Sequence, residues 1–240
     1  MSTDQPLDPR CASCGLRREA RPCVAPGNDE PGHPPESCPM DNHPRVLEQA
    51  TERLLADPEL LRMARAASIQ EGEGYADRQA VPYVKRPCKP RIQETWEFAR
   101  RMGYRRVGLA FCIGLRAEAR EVARLLELHG LEVVSAMCKA GAVPKEKLGL
   151  DDAHKVHPGG FEAMCHPVAQ AELFNAAGTE LNILLGLCVG HDSLFLGASR
   201  APCTVLAAKD RVSAHNPLAA VYTSGSYYAR LRDPGSDDGR

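Results

Sequence analysis

The clearest structural signal in the sequence is the apolar run Val107-Gly-Leu-Ala-Phe-Cys112, followed by two runs of the same kind, Glu132-Val-Val-Ser-Ala-Met-Cys138 and Leu181-Asn-Ile-Leu-Leu-Gly-Leu-Cys188. Each run has the length and composition of a buried strand, and each ends in a cysteine. Helical patterns separate the runs, which is typical of a parallel sheet with helices on its faces. Because the carboxyl ends of parallel strands share one edge of the sheet, we expect the three thiols at that edge.

The part of the chain from 88 to 232 predicts an α/β domain, a three-layer sandwich with a mostly parallel, Rossmann-like sheet. An amphipathic helix over 91–102 precedes the alternation. The expected strands are 106–112, 132–138, 181–188 and 203–208, and the expected helices are 116–129, 167–177, 193–197 and 217–222. Counting these strands along the chain, we expect the order 2-1-3-4, which puts the first and third strands side by side at the switch point where ligands bind.

Three further segments flank this domain. Residues 1–43 show no periodicity and are interrupted by Pro and Gly, so we expect a cysteine-rich module that a metal or cluster holds together. Residues 44–87 predict a helical connector with two helices, because Asp57-Pro58 interrupts the apolar periodicity. Residues 233–240 are polar and predict a flexible tail.

Composition excludes several classes of protein. The 240 residues carry 30 Lys and Arg against 31 Asp and Glu, with a net charge of -1 and no basic run, so we expect no nucleic-acid partner. No stretch approaches the roughly 18 apolar residues of a membrane helix, and the N-terminus lacks the pattern of a signal peptide. The sequence therefore predicts a cytoplasmic protein without membrane partners, and it leaves the oligomeric state open.

The 10 cysteines are the most unusual feature of the composition. In a reducing compartment such a number indicates metal binding or catalysis rather than disulfides. The N-terminal set has the spacing C-x2-C-x8-C-x14-C-P and consists of Cys11, Cys14, Cys23 and Cys38. Zinc is one candidate, with His33 or His43 able to replace a cysteine. A [4Fe–4S] cluster is the other, since Cys-Pro also closes bacterial ferredoxin motifs.

A second group of thiols is expected at the carboxyl edge of the sheet, which we call the rim. Cys165 precedes the predicted helix 167–177, and a crossover helix starts at the edge where the preceding strand ended. We therefore predict that one cofactor, an iron–sulfur cluster, is bound by Cys112, Cys138, Cys165 and Cys188. A single cysteine is more often a small buried apolar residue, as we expect for Cys203, and Cys88 is also left out of the sites.

Polar residues follow the same strand ends. His191, Lys139 and Lys209 are the predicted catalytic residues. Lys139 and Lys209, together with Arg211, would hold a small anionic substrate, and His191 would supply a proton. The sequence contains no Gly-x-Gly-x-x-Gly after the first strand and no phosphate-binding loop motif, so it does not predict a nucleotide site.

Several blocks of the sequence resemble a known family. They are Phe111-Cys-Ile-Gly-Leu, Cys138-Lys-x-Gly-x-Val-Pro-Lys, Cys165-x-Pro-x-Ala-Gln-Ala, Gly186-Leu-Cys-Val-Gly-His-Asp and Lys209-Asp-Arg-Val. They are similar to a prokaryotic family of predicted metal-binding proteins, domain of unknown function 1847. The resemblance implies metal binding and marks the four rim cysteines as the family's signature thiols. It implies no reaction.

Taken together, these features predict a metal-binding protein, with one or two [4Fe–4S] clusters and a redox role. That role would be electron transfer to a redox partner protein or reductive conversion of a small anionic substrate. The alternative is a zinc protein, structural or hydrolytic, with zinc in the N-terminal module and no redox activity. A redox-sensing binding module is a third interpretation.

Overall fold

The structure is a computed structural model that describes residues 6–24, 32–233 and 235. Its strands form two small sheets. In chain order the strands are β1 (Tyr75–Ala76), β2 (Arg86–Pro87), β3 (Arg106–Phe111), β4 (Glu132–Met137), β5 (Leu181–Leu185) and β6 (Cys203–Ala207). β1 and β2 form a short antiparallel pair that the sequence analysis did not predict. The other four strands form one parallel sheet.

The order in the parallel sheet is β4-β3-β5-β6. Counted within this sheet, that is second, first, third, fourth, as predicted, and the labels shift because β1 and β2 come earlier in the chain. β3 lies in the centre, and its last residue, Phe111, is in register with Met137 of β4 and Leu185 of β5. The carboxyl ends of these three strands therefore lie side by side.

Helices connect the strands, and several start with proline, which has no N–H to lose at a first helical turn. Within the described residues the α-helices are α1 (Pro39–Asn42), α2 (Pro44–Ala56), α3 (Pro58–Glu73), α4 (Arg91–Arg101), α5 (Arg116–Leu128), α6 (Pro167–Ala177), α7 (His191–Ala198) and α8 (Leu218–Tyr222). None of them is both long and apolar enough to cross a membrane.

Two boundaries near the rim differ from the prediction by more than one residue. β5 ends at Leu185, three residues earlier than the predicted 188, because Gly186 takes a left-handed φ of 66° that a strand cannot contain. Cys188 consequently lies in the turn after the strand. α7 begins at His191, two residues earlier than predicted, and so includes His191 in its first turn.

Apolar side chains fill both faces of the sheet, which confirms the three-layer prediction. One cluster packs Leu109 and Ile183 against α4 and α5. The other packs Ala110 and Leu184 against α6 and α7. Cys112 and Cys138 belong to the second cluster, so the rim thiols lie on the α6–α7 face of the sheet.

The chain divides into two compact units, Met1–Arg65 and Ala66–Arg240. The narrower boundaries expected from the sequence, at 43/44, 87/88 and 232/233, stay predictions. Of the predicted module 1–43, residues 1–5 and 25–31 lie outside the described residues. Of the predicted tail 233–240, residues 234 and 236–240 lie outside them.

Candidate functional site

Two cysteines occupy equivalent positions at the ends of neighbouring strands. Cys112 follows β3 and Cys138 follows β4, and parallel strands lie about 4.8 Å apart. Backbone hydrogen bonds continue the ladder here: the Cys138 N–H donates to the Phe111 carbonyl at 2.9 Å, and the Cys112 N–H donates to the Leu185 carbonyl at 3.1 Å. Both residues are buried, with exposed fractions of 8% for Cys112 and 3% for Cys138.

Cys165 reaches the rim from the long loop before α6. The N–H of His166 donates to the Cys138 carbonyl at 2.7 Å and so fixes the loop against the end of β4. The Sγ atoms of Cys165 and Cys138 lie 3.9 Å apart. Both residues belong to the same apolar cluster, Cys138 in its buried core and Cys165 packed half-buried against it.

Cys188 completes the group from the turn between β5 and α7. Its carbonyl accepts the N–H of His191 at 2.9 Å and of Asp192 at 3.1 Å, so this turn starts α7. A small cavity of about 10 Å³ has all four rim cysteines and His191 in its lining, together with Pro167, Gln170 and Leu187. That volume is close to the minimum for one water molecule. The rim thus gathers the predicted thiols around space for one small ligand.

The predicted cationic residues lie beside the rim sulfurs. Arg211 donates from Nη2 to Cys188 Sγ at 3.1 Å. Lys209 lies beside Cys112 and Lys139 lies beside Cys165, each close enough to lower the pKa of its thiol. Each of these three cysteines therefore has a cation of its own.

Lys139 has a second partner, since its ammonium also donates to the Ala163 carbonyl. The arrangement stabilises thiolates. The role of these cations in holding an anionic substrate stays a prediction.

Cys112, Cys138 and Cys165 have strongly shifted pKa values. A hydrogen bond with Cys138 lowers the pKa of Cys112 to about 5 against the cost of burial, and Lys209 adds to the effect. A separate hydrogen bond between Cys165 and Cys138 lowers the pKa of Cys165 to about 5, with the charges of Lys139 and His191 contributing. The pKa of Cys138 is raised by its two thiol neighbours and by burial. Cys138 thus keeps its proton between two thiolates.

Gln170 is a cavity residue to which the sequence analysis assigned no role. Its side chain is fully buried in α6, and its Nε2 donates to the carbonyls of Ala136 at 2.7 Å and Phe111 at 3.3 Å. Its Oε1 has no hydrogen-bond partner among the described residues. A buried polar residue inside an otherwise apolar helix face was the signal that could have revealed it.

The N-terminal cysteines line a much larger cavity, which lies within the first unit. All four border a space of about 290 Å³: Cys11, Cys14, Cys23 and Cys38. Cys11 begins a 3₁₀ turn, and the Cys14 N–H closes that turn on the Cys11 carbonyl at 3.2 Å. Cys38 precedes α1, and its N–H donates to the Pro35 carbonyl at 2.8 Å.

The two histidines that could have replaced a cysteine are not in the lining of this cavity. His43 contacts the Leu7 carbonyl through Nε2 at 2.8 Å, and His33 is exposed. Across the described part of the chain, no group of three or more His, Cys, Asp or Glu side chains converges closely enough to hold a single metal ion.

Comparison with known proteins assigns the family. Residues 38–206 match the model of DUF1847, described as a protein of unknown function. An uncharacterised protein of Methanocaldococcus jannaschii is 44% identical over 163 residues, which are 68% of this chain and 80% of that protein. This chain belongs to the DUF1847 family.

The four rim cysteines all lie within the DUF1847 match, as do His191 and Lys139. Cys11, Cys14 and Cys23 precede it, and Cys38 is its first residue. The description of the DUF1847 family names no metal. The predicted metal binding therefore has to be argued from the two cysteine groups themselves.

Two crystal structures of Dph2 from Pyrococcus horikoshii, one of them with a 4Fe-4S cluster, are also similar to this DUF1847 protein. Each is 18% identical, with a TM-score of 0.33, and covers 60% of this chain. The matched part is 33% of the Dph2 chain, so this chain spans about a third of the Dph2 length. A TM-score this low does not indicate a shared cofactor.

Proposed function

We propose that this DUF1847 protein is an iron–sulfur protein with a redox role, in which one [4Fe–4S] cluster is held by Cys11, Cys14, Cys23 and Cys38. The observation that carries the proposal is the cavity of about 290 Å³ that these four cysteines border together. Four cysteine thiolates are the usual ligand set of such a cluster.

The size of the cavity favours a cluster over zinc. Zinc–thiolate bonds are about 2.3 Å long, so four sulfurs around one zinc ion converge on a single point. The four cysteines instead border a space many times larger than one ion. A cluster of four iron and four sulfide atoms needs that kind of space.

Two cationic side chains near the cavity suit a negatively charged cluster. Arg10 and Arg21 both contribute to its lining, and Arg21 is held by a hydrogen bond of 2.8 Å from Nε to the Leu16 carbonyl. When bound, a cluster of this type takes up and releases single electrons. Nearby cations stabilise its reduced form, so Arg10 and Arg21 would raise its reduction potential.

The rim cysteines border a much smaller cavity than the N-terminal cysteines do. The rim cavity of about 10 Å³ has room for one small atom, so a second cluster would require the rim thiols to move apart. A cluster at the rim stays a prediction. Our proposal counts one cluster per chain and treats the rim as a thiol site.

The test is anaerobic purification followed by assays of iron, acid-labile sulfide and zinc, with absorption and electron paramagnetic resonance spectra. We expect about four iron and four sulfide per chain. The double variant Cys11→Ser/Cys14→Ser should lose both, and the matched control Cys88→Ser should keep them, because Cys88 is exposed and bonds only to backbone carbonyls.

About one zinc per chain without sulfide would contradict the proposal and favour the zinc alternative. About eight iron per chain, with half of it retained by the double variant, would instead support a second cluster at the rim.

A further inference from the structure

Two rim sulfurs lie close enough to react with each other. Cys138 Sγ and Cys165 Sγ are 3.9 Å apart, although 27 residues separate them along the chain. A disulfide bond is about 2.05 Å long, so the two atoms need to approach by about 2 Å. Cys165 lies in a loop rather than in a helix or strand, so its backbone can supply that movement.

The two thiols are unequal in the way a reactive dithiol requires. Cys165 is half-buried, so a reagent can reach it from the surface, and Lys139 and His191 lie beside it. Cys138 lies deeper, with an exposed fraction of 3%, and accepts a hydrogen bond from the Ile113 N–H at 3.4 Å. Cys165 is therefore the thiol that attacks a substrate first, and Cys138 attacks only after a group is attached to Cys165.

We infer that Cys138 and Cys165 form a redox-active dithiol that reduces a low-molecular-weight disulfide. The Cys165 thiolate attacks one sulfur of the substrate; the bond between Cys165 and that sulfur forms, the substrate's S–S bond breaks, and one thiolate leaves. Cys138 then gives up its proton and attacks Cys165 Sγ, so the Cys138–Cys165 disulfide forms and the second thiolate leaves.

The reaction is balanced without any other oxidant or reductant. The substrate disulfide gains two electrons and leaves as two thiolates, and the Cys138–Cys165 pair loses the same two electrons. One thiolate takes the proton that Cys138 releases, and the other takes from water the proton that Cys165 lost when it ionised. Every group in this step belongs to the second unit of the chain. The inference therefore goes beyond the proposed cluster and does not depend on it.

The experiment uses the full chain, reduced and handled anaerobically, with glutathione disulfide as the probe. Peptide mass mapping should find one new disulfide, between Cys138 and Cys165, and about two glutathione thiols released per dithiol oxidised. The variant Cys138→Ser should trap a glutathione adduct on Cys165, because the second attack is missing. The variant Cys165→Ser should form no adduct on Cys138, which is too buried for the probe.

Cys203→Ser is the matched control. Cys203 is also half-buried and is the first residue of β6. Its thiol lies 3.5 Å from the Ala201 carbonyl, and it is not in the lining of the rim cavity. This variant should form the Cys138–Cys165 disulfide as the wild type does. Circular dichroism establishes that each variant is folded before its disulfides and glutathione adducts are mapped.

Three results would overturn the inference. They are the absence of any Cys138–Cys165 disulfide in folded protein, a disulfide that pairs Cys138 with Cys112 instead, and loss of iron from both rim variants, which would make the two cysteines cluster ligands. The first two results do not bear on the N-terminal cluster, which is tested separately by the iron content of Cys11→Ser/Cys14→Ser. The third would also contradict the count of one cluster per chain.

Discussion

Gln170 in α6 donates a hydrogen bond of 2.7 Å to the carbonyl of Ala136 in β4, across 34 residues of sequence. The same Nε2 also donates to the Phe111 carbonyl at the end of β3, at 3.3 Å. These carbonyls lie within two residues of Cys138 and Cys112. One side chain on the helix layer therefore ties together the two strand ends that carry the buried rim thiols.

We expect Gln170→Ala to destabilise the protein by about 2–4 kcal/mol, because it removes both hydrogen bonds and leaves a cavity in a fully buried position. Urea denaturation measures the free energy of unfolding. Glu172→Ala, on the exposed side of the same helix, is the control and should change it by less than about 0.5 kcal/mol. Equal stability of the Gln170 and Glu172 variants would show that the amide does not hold the strand ends.

Gly108 lies in the centre of the sheet where a helix packs closely. A Cβ atom at this position would lie 2.5 Å from the ring of Phe174 in α6 and would also clash with Asn182. We expect Gly108→Ala to lower the free energy of unfolding by about 1–3 kcal/mol, as overpacking does. Thermal and urea denaturation both measure this change.

Gly197→Ala is the control for Gly108. It lies inside α7, and among the described residues no heavy atom comes within 4 Å of the added methyl group. Alanine favours a helix over glycine, so this variant should be as stable as the wild type or up to about 1 kcal/mol more stable. A destabilised Gly197 variant together with an unchanged Gly108 variant would contradict the packing described here.

Glu97 should make stability depend on pH in acid. Burial opposes its ionisation, but hydrogen bonds from Lys89 at 2.6 Å and Gln70 at 2.8 Å outweigh burial and lower its pKa from 4.5 to about 2. A carboxylate with a lowered pKa in the folded state stabilises the fold above its unfolded pKa and loses that contribution as the pH falls towards 2.

Accordingly, Glu97→Gln should lower the free energy of unfolding at pH 7 by about 1–2 kcal/mol. The difference from the wild type should shrink as the pH falls from about 4.5 to 2. Denaturant titrations at several pH values measure it. Glu121→Gln is the control, because its pair with Arg124 is exposed and should contribute little at any pH. If the difference in free energy of unfolding between Glu97→Gln and the wild type grew towards acid pH, the predicted direction of the pH dependence would be wrong.

Removal of residues 1–43 should leave the α/β unit intact. Both apolar clusters that fill the faces of the sheet consist of residues between 92 and 207. The truncated chain should therefore keep the cooperative thermal unfolding of the α/β unit and the reactivity of its rim thiols, measured by circular dichroism and by alkylation. Loss of cooperative unfolding would show that the N-terminal segment contributes to that core.

Much of the fold follows from local sequence. The apolar runs that end near Cys112, Cys138 and Cys188 predict three of the four parallel strands, because short, mostly apolar runs that alternate with helical patterns are typical of a parallel sheet. The order of those strands follows from the alternation with helices, since right-handed crossovers leave few arrangements open. The early end of β5 at Gly186 was missed, because a glycine in an apolar run is compatible with a strand until its φ is known.

Which cysteines lie at the rim can also be predicted from the sequence, because the parallel topology brings the carboxyl ends of the strands to one edge of the sheet. The chemistry at that edge does not. The distance of 3.9 Å between Cys138 and Cys165, the cation beside each of three thiols and the position of Gln170 all arise between segments far apart in the chain. The two groups of four cysteines border cavities of very different size, about 10 Å³ at the rim and about 290 Å³ in the N-terminal segment. This difference also depends on contacts between segments far apart in the chain. Residue spacing sets which atoms are neighbours within one helix or strand, whereas distances between segments depend on how all the side chains pack together.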